Sequence, residues 1–105
     1  MSSRPARLLC AGKDPGLLQT RCAVLERSGY RAQPAVLPEV ETLLRSEEFD
    51  LVIVSAWLSE WEKGQILATV GKTPAIVLTE LTLADKLLAQ VERRLTAAAQ
   101  EDYQP

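Results

Sequence analysis

Apolar residues recur along this chain in two alternating textures: short unbroken runs, and stripes at helical spacing. The runs are Arg7 to Ala11 (RLLCA), Leu51 to Val54 (LVIV) and Ala75 to Leu78 (AIVL). A run with no polar interruption is the profile of a strand covered on both faces. Arg31 to Val36 (RAQPAV) is a weaker strand, and Pro34, which has no N–H to give a ladder, assigns it to an edge.

Between the runs the period becomes helical. Leu17, Leu18, Cys22 and Leu25, with Val24 beside them, form the stripe of a first helix. Asp14 is placed to cap it, Pro15 takes the first helical position, and Ser28-Gly29-Tyr30 closes it. Pro38 opens a second helix, with Val40, Leu43 and Leu44 inward and Glu39, Glu41 and Arg45 outward. Glu60 to Val70 is a third, interrupted by Gly64, with Ile66, Leu67 and Val70 facing in. Gly71 to Pro74 is a turn. The last helix is expected from near Thr82 to about Ala98, with Leu87, Leu88, Val91 and Leu95 on one face and a frayed tail, AQEDYQP.

The order is βαβαβαβα, which specifies an α/β fold: an open parallel sheet of about four strands with helices on both faces. Right-handed crossovers fix most of its topology. At 105 residues the chain is expected to form one domain, residues 1–105. Its net charge is −2 with the signs interspersed, which argues against nucleic-acid binding. No apolar stretch approaches the roughly 20 residues of a membrane span, and no signal-peptide core follows Met1; a cytoplasmic protein without membrane contact is expected. The chain has no histidine, so the commonest general base and metal ligand are absent. Cys10 and Cys22 form no CxxC pair and are expected to be reduced, buried hydrophobes.

In an open α/β sheet, chemistry sits just beyond the carboxyl ends of the strands. After Leu51 to Val54 that place holds Ser55, followed by Ala56 and Trp57. The spacing and texture of most of the chain resemble the receiver (CheY-like) domain of bacterial response regulators, a flavodoxin-like fold. The resemblance runs through RLLCAGKDPGLLQTRCAVLERSGYRAQPA, LPEVETLLRSEEFDLVIVS, TPAIVLTE and ADKLLAQVERRL. Between Glu80 and the last helix there is no room for the fourth helix and fifth strand of a receiver, so one αβ unit is missing.

The resemblance implies a phosphorelay fold in which an aspartate after the third strand accepts a phosphoryl group from a histidine kinase. An acidic pair after the first strand would hold Mg²⁺, and a hydroxyl after the fourth strand and a later lysine would contact the phosphoryl group. Carried over, the acceptor position is Ser55. The acidic pair falls on Gly12 and Lys13, with only the neighbouring Asp14 keeping a carboxylate. Thr79 matches the hydroxyl, and the lysine has no counterpart. Mg²⁺ needs hard anionic oxygens, and a serine without metal or base is a poor acceptor. The expectation is a degenerate receiver, with no catalysis, metal or cofactor, acting in two-component signalling by protein–protein contact.

Candidate contacts are Trp57 and Trp61, four residues apart around the mouth of this site, where indoles either plug a vacated pocket or anchor a partner. Without a fifth strand, Ala75, Ile76, Val77 and Leu78 form an uncharged edge, expected to be covered by the last helix or by a second copy. Homodimerisation and contact with signalling proteins follow as expectations. An alternative is a resemblance to the IIB phosphocarriers of sugar phosphotransferase systems, with Cys10 opening a phosphate loop over Cys10-Ala11-Gly12-Lys13. Asp14 opposes it by setting a negative charge where phosphate would lie. A small anion at the Gly12–Gly16 turn is a third reading, with no GxGxxG or Walker spacing to support it.

Overall fold

A computed structural model describes residues 5–78 and 84–103. The elements follow the expected alternation: β1 (Arg7–Gly12), α1 (Pro15–Arg27), β2 (Arg31–Val36), α2 (Leu37–Ser46), β3 (Leu51–Val54), α3 (Glu60–Val70), β4 (Ala75–Val77) and α4 (Ala84–Tyr103). All pairings are parallel, and the strand order is β2-β1-β3-β4. This is the doubly wound order of flavodoxin-like sheets, with four strands among the described residues. β2 lies at one edge, as Pro34 required.

Strand alternation divides the core into two layers. Leu8, Cys10, Leu51 and Ile53 point to one face, where α1 and α4 cover them with Leu18, Cys22, Leu25, Leu87 and Val91. Leu9, Ala11, Val52 and Val54 point to the other, beneath Val40 of α2 and Ile66 and Val70 of α3. Every residue of β3 is fully buried, which is why its sequence shows no alternation.

Local chemistry sets the helix ends. The Asp14 carboxylate accepts the N–H groups of Gly16 and Leu17 at 3.0 and 3.3 Å, opening α1. At its other end Gly29 adopts φ 98°, a conformation that suits glycine. The N–H of Gly29 then reaches Glu26 O and that of Tyr30 reaches Leu25 O, a Schellman closure. α3 begins with a capping box: Glu62 N–H donates to Ser59 Oγ and Ser59 N–H to the Glu62 carboxylate.

The structure revises several expectations. Leu67 does not face inward but is 42% exposed, because Ile66 and Val70 occupy the sheet-facing line of α3. β4 ends at Val77, and Leu78, though buried, follows it. α2 starts one residue early, at Leu37. α4 does not stop at Ala98: its run of alanine, glutamine and glutamate holds the helix through Tyr103, so most of the supposed frayed tail is helical. The expected start near Thr82 falls outside the described residues. No helix among the described residues is long and apolar enough to cross a membrane.

Candidate functional site

The strand order reverses between β1 and β3, so their carboxyl ends form the crevice of the sheet. Gly12 and Ser55 meet there, joined by the Ser55 N–H donating to Ala11 O at 2.9 Å. Ser55 is 4% exposed. Its hydroxyl accepts a hydrogen bond from Nη1 of Arg21 at 2.9 Å. Arg21 lies on the inward face of α1 and is only 7% exposed.

A buried guanidinium beside Ser55 was not among the sequence expectations. The signal was present, because Arg21 occupies the fourth place of the stripe Leu18, Cys22 and Leu25, where the helical period demands an inward residue. Among the described residues no carboxylate pairs with Arg21, and Ser55 Oγ is its hydrogen-bond acceptor. No fully buried polar side-chain atom among them lacks a partner, so the rest of the guanidinium keeps its narrow access to solvent.

Gly12 makes this arrangement possible. A Cβ there would lie 3.0 Å from Ser55 Cβ and 3.1 Å from Leu18 Cδ2, and closer still to the Ser55 hydroxyl. The floor of the crevice is therefore filled by protein atoms.

Lys13 does not pair with Asp14, its neighbour in sequence. It is half-exposed and reaches across the crevice to α3, where its Nζ lies 2.7 Å from Oε2 of Glu62. The lysine, followed by two hydrogen bonds at Ser59, holds the Glu62 carboxyl below its ordinary value of 4.5. One glutamate thus caps α3 and ties it to the β1–α1 turn. Asp14 spends its carboxylate on the α1 cap.

The residues present do not fit Mg²⁺. Where the resemblance led to an expected acidic pair stand Gly12 and a lysine paired with Glu62, and Arg21 adds positive charge nearby. Among the described residues no three His, Cys, Asp or Glu side chains converge as a metal site would need. Thr79, the matching hydroxyl, lies outside the described residues.

The two indoles do not plug the crevice: Trp57 is 68% exposed and Trp61 72%. Trp61 stands at the rim of a groove of about 320 Å³ between α2 and α3, floored by Val40 and Ile66 and edged by Glu41 and Glu62. Cys10 is fully buried. A hydrogen bond with Cys22, and then burial, push its thiol far above the ordinary range. A thiol so held is a poor nucleophile, which removes the support for a phosphocysteine at this position.

No family model matches the chain. It is 36% identical over 84 residues to the transcriptional regulatory protein GlrR of Escherichia coli K12, an alignment covering 75% of this chain and 19% of that protein. The chain thus spans about a fifth of the length of its curated relative. A solved CheY-like response regulator receiver domain from Methanospirillum hungatei superposes with a TM-score of 0.69 at 17% identity, covering 92% of this chain and 98% of that one. A fusion protein carrying the trimeric coiled coil of yeast Spc42 superposes with a TM-score of 0.78 at 16% identity, covering 100% of this chain and 89% of that one.

Proposed function

We propose, from the premise that the chain is a receiver domain of CheY-like fold, that it is a phosphorylation-independent interaction module of two-component signalling. The observation that carries this reading is the hydrogen bond from buried Arg21 to Ser55. Phosphotransfer to a receiver needs a carboxylate nucleophile and a divalent cation beside it to gather charge from the phosphoryl oxygens. Here the nucleophile's place holds a serine hydroxyl, and the cation is a fixed guanidinium from α1. The neighbouring lysine is turned away to Glu62.

In this chain the crevice floor is already knit together by Gly12, Ser55 and Arg21, which supports a single permanent arrangement. Its output is then the surface it presents. The exposed pair Trp57 and Trp61 leads from the end of β3 onto α3, and large exposed aromatics are the residue type enriched at binding hot spots. The partners on this reading are signalling proteins and a second copy of the chain.

The test is incubation with acetyl phosphate and Mg²⁺, read by intact mass. The expected result is no gain of a phosphoryl group, including in Ser55→Asp, where a carboxylate is restored beside Arg21 but no metal site exists. Stable phosphorylation of the wild type at Ser55 or any aspartate would overturn the reading.

A further inference from the structure

Cys10 and Cys22 are both free thiols, and the reading of the crevice uses neither. Cys10 points from β1 to the face that α1 covers, and Cys22 lies on the stripe of α1 turned toward that face.

The register of α1 over β1 sets the two together. α1 runs back along the sheet, since it joins two parallel strands. Its Leu18 lies above Gly12, where an added Cβ would meet Leu18 Cδ2 at 3.1 Å. From Leu18 to Cys22 the helix descends four residues, about 6 Å. From Gly12 back to Cys10 the strand covers two residues, about 6.6 Å, and returns to the same face. The step on the helix thus matches the step on the strand, and Cys22 falls above Cys10. The thiols are close enough to share a hydrogen bond.

The pair is unequal. Cys10 is fully buried, whereas Cys22 keeps a narrow opening to solvent. The hydrogen bond from Cys10 holds the Cys22 thiol below its ordinary value, against its burial and the charge of Glu26 and with the help of Arg21. Thiolate character and access are the two conditions that select a cysteine for oxidation. Cys22 meets both better than Cys10, and a second sulfur stands beside it.

We propose that Cys22 is the peroxide-reactive site of this chain and that Cys10 resolves it, giving an intramolecular Cys10–Cys22 disulfide. The oxidant is hydrogen peroxide. The Cys22 thiolate attacks one peroxide oxygen and the O–O bond breaks. Cys22 becomes a sulfenic acid, and the departing hydroxide takes a proton from solvent to leave as water. The Cys10 sulfur then attacks the Cys22 sulfur, the S–S bond forms and the S–O bond breaks. The departing hydroxide takes the Cys10 proton and leaves as a second water. Cys10 therefore needs no ionisation of its own in the resting protein, because its proton goes to the leaving group. The disulfide closes a short loop around the β1–α1 turn, which holds Gly12, Lys13 and Asp14, and removes that loop's freedom from the unfolded chain.

The experiment treats the folded wild type, Cys10→Ser and Cys22→Ser with hydrogen peroxide, followed by alkylation in denaturant and peptide mass mapping. In the wild type the expected product lacks two hydrogens, with the tryptic peptides 8–13 and 22–27 joined. Its urea midpoint should rise and should return when a thiol reductant is added. Cys10→Ser should stop at the sulfenic acid, trapped on Cys22 by dimedone, and Cys22→Ser should leave Cys10 unmodified. The wild-type map stands whether or not either variant folds. A wild type that stays reduced where peroxide oxidises glutathione, a disulfide formed only between chains, or a sulfinic acid on Cys22 with Cys10 still free would overturn the proposal. Dimedone captured on Cys10 of the folded chain would do the same.

Discussion

Nη1 of Arg21, on α1, donates to Oγ of Ser55, at the end of β3, over 2.9 Å in the floor of the crevice. A hydrogen bond to a charged group contributes about 1.5–3 kcal/mol. Ser55→Ala removes the acceptor and leaves the guanidinium buried without it. Chemical denaturation should show a destabilisation of that size. Arg21→Met takes away the charge and its desolvation cost together, and exchanges of this kind are often neutral or stabilising. In Ser55→Ala with Arg21→Met the loss should therefore be smaller than in Ser55→Ala alone. An additive cycle would show that the two side chains do not depend on each other.

Gly12 is the third member of that floor. Gly12→Ala forces a methyl group against Ser55 and Leu18, and overpacking of this kind costs about 1–3 kcal/mol. Ser55→Gly vacates the space the new methyl needs. Gly12→Ala combined with Ser55→Gly should therefore lose less stability than the two single changes added, measured by urea midpoints at constant m-value.

The fold was legible because its determinants are local. The runs at β1, β3 and β4, the Asp14–Pro15 start and the Gly29 stop each carry their own signal, and their alternation specifies the parallel sheet. That the described sheet has four strands could be read from spacing alone. The site was legible only in part. Ser55, Gly12 and Lys13 could be placed at the strand ends from the sequence, but the side chain that meets Ser55 comes from α1, 34 residues away. A polar residue in an apolar stripe reads as a defect until the fold supplies its partner. The direction of Lys13 was likewise hidden, because Glu62 lies on an element that only the crossover brings near. Leu67 was misplaced for a subtler reason: α3 has apolar residues on adjacent positions, and only packing decides which of them faces the sheet.

The Lys13–Glu62 contact carries a pH dependence of definite sign. The Glu62 carboxyl titrates below its ordinary 4.5 in the folded chain. Its contribution is thus fully present above that value and is lost as pH falls through the depressed folded value. Stability measured by urea midpoint should drop across that acidic window. Glu62→Gln, with no charge to lose, should show a shallower drop. Lys13→Met should also flatten it, leaving only the share that comes from the Ser59 cap. Equal acid sensitivity in all three proteins would mean that other carboxylates govern the window.

The thiols separate in the same manner. Cys10 is fully buried and Cys22 6% exposed. Their hydrogen bond raises the first thiol and lowers the second. Thiolate is the reactive form, so a disulfide reagent should label Cys22 slowly in the native protein. Cys10 should stay unlabelled until denaturant unfolds the chain. Native labelling of Cys10 ahead of Cys22, located by peptide mass, would contradict the arrangement.

Trp57 and Trp61 provide the last prediction. Both indoles are largely in solvent, and neither belongs to the buried core. Surface substitutions away from caps and buried networks change stability by about 0.5 kcal/mol or less. Trp57→Ala and Trp61→Ala should therefore leave the unfolding midpoint nearly unmoved. Emission of the wild type should be red-shifted and open to acrylamide quenching, since both fluorophores contact water. If either indole plugged the crevice beside Ser55, its removal would open a cavity, cost several times more, and abolish a blue-shifted, shielded component. Capture of a binding partner by the wild type but not by the double variant is the functional readout of the proposed recognition role.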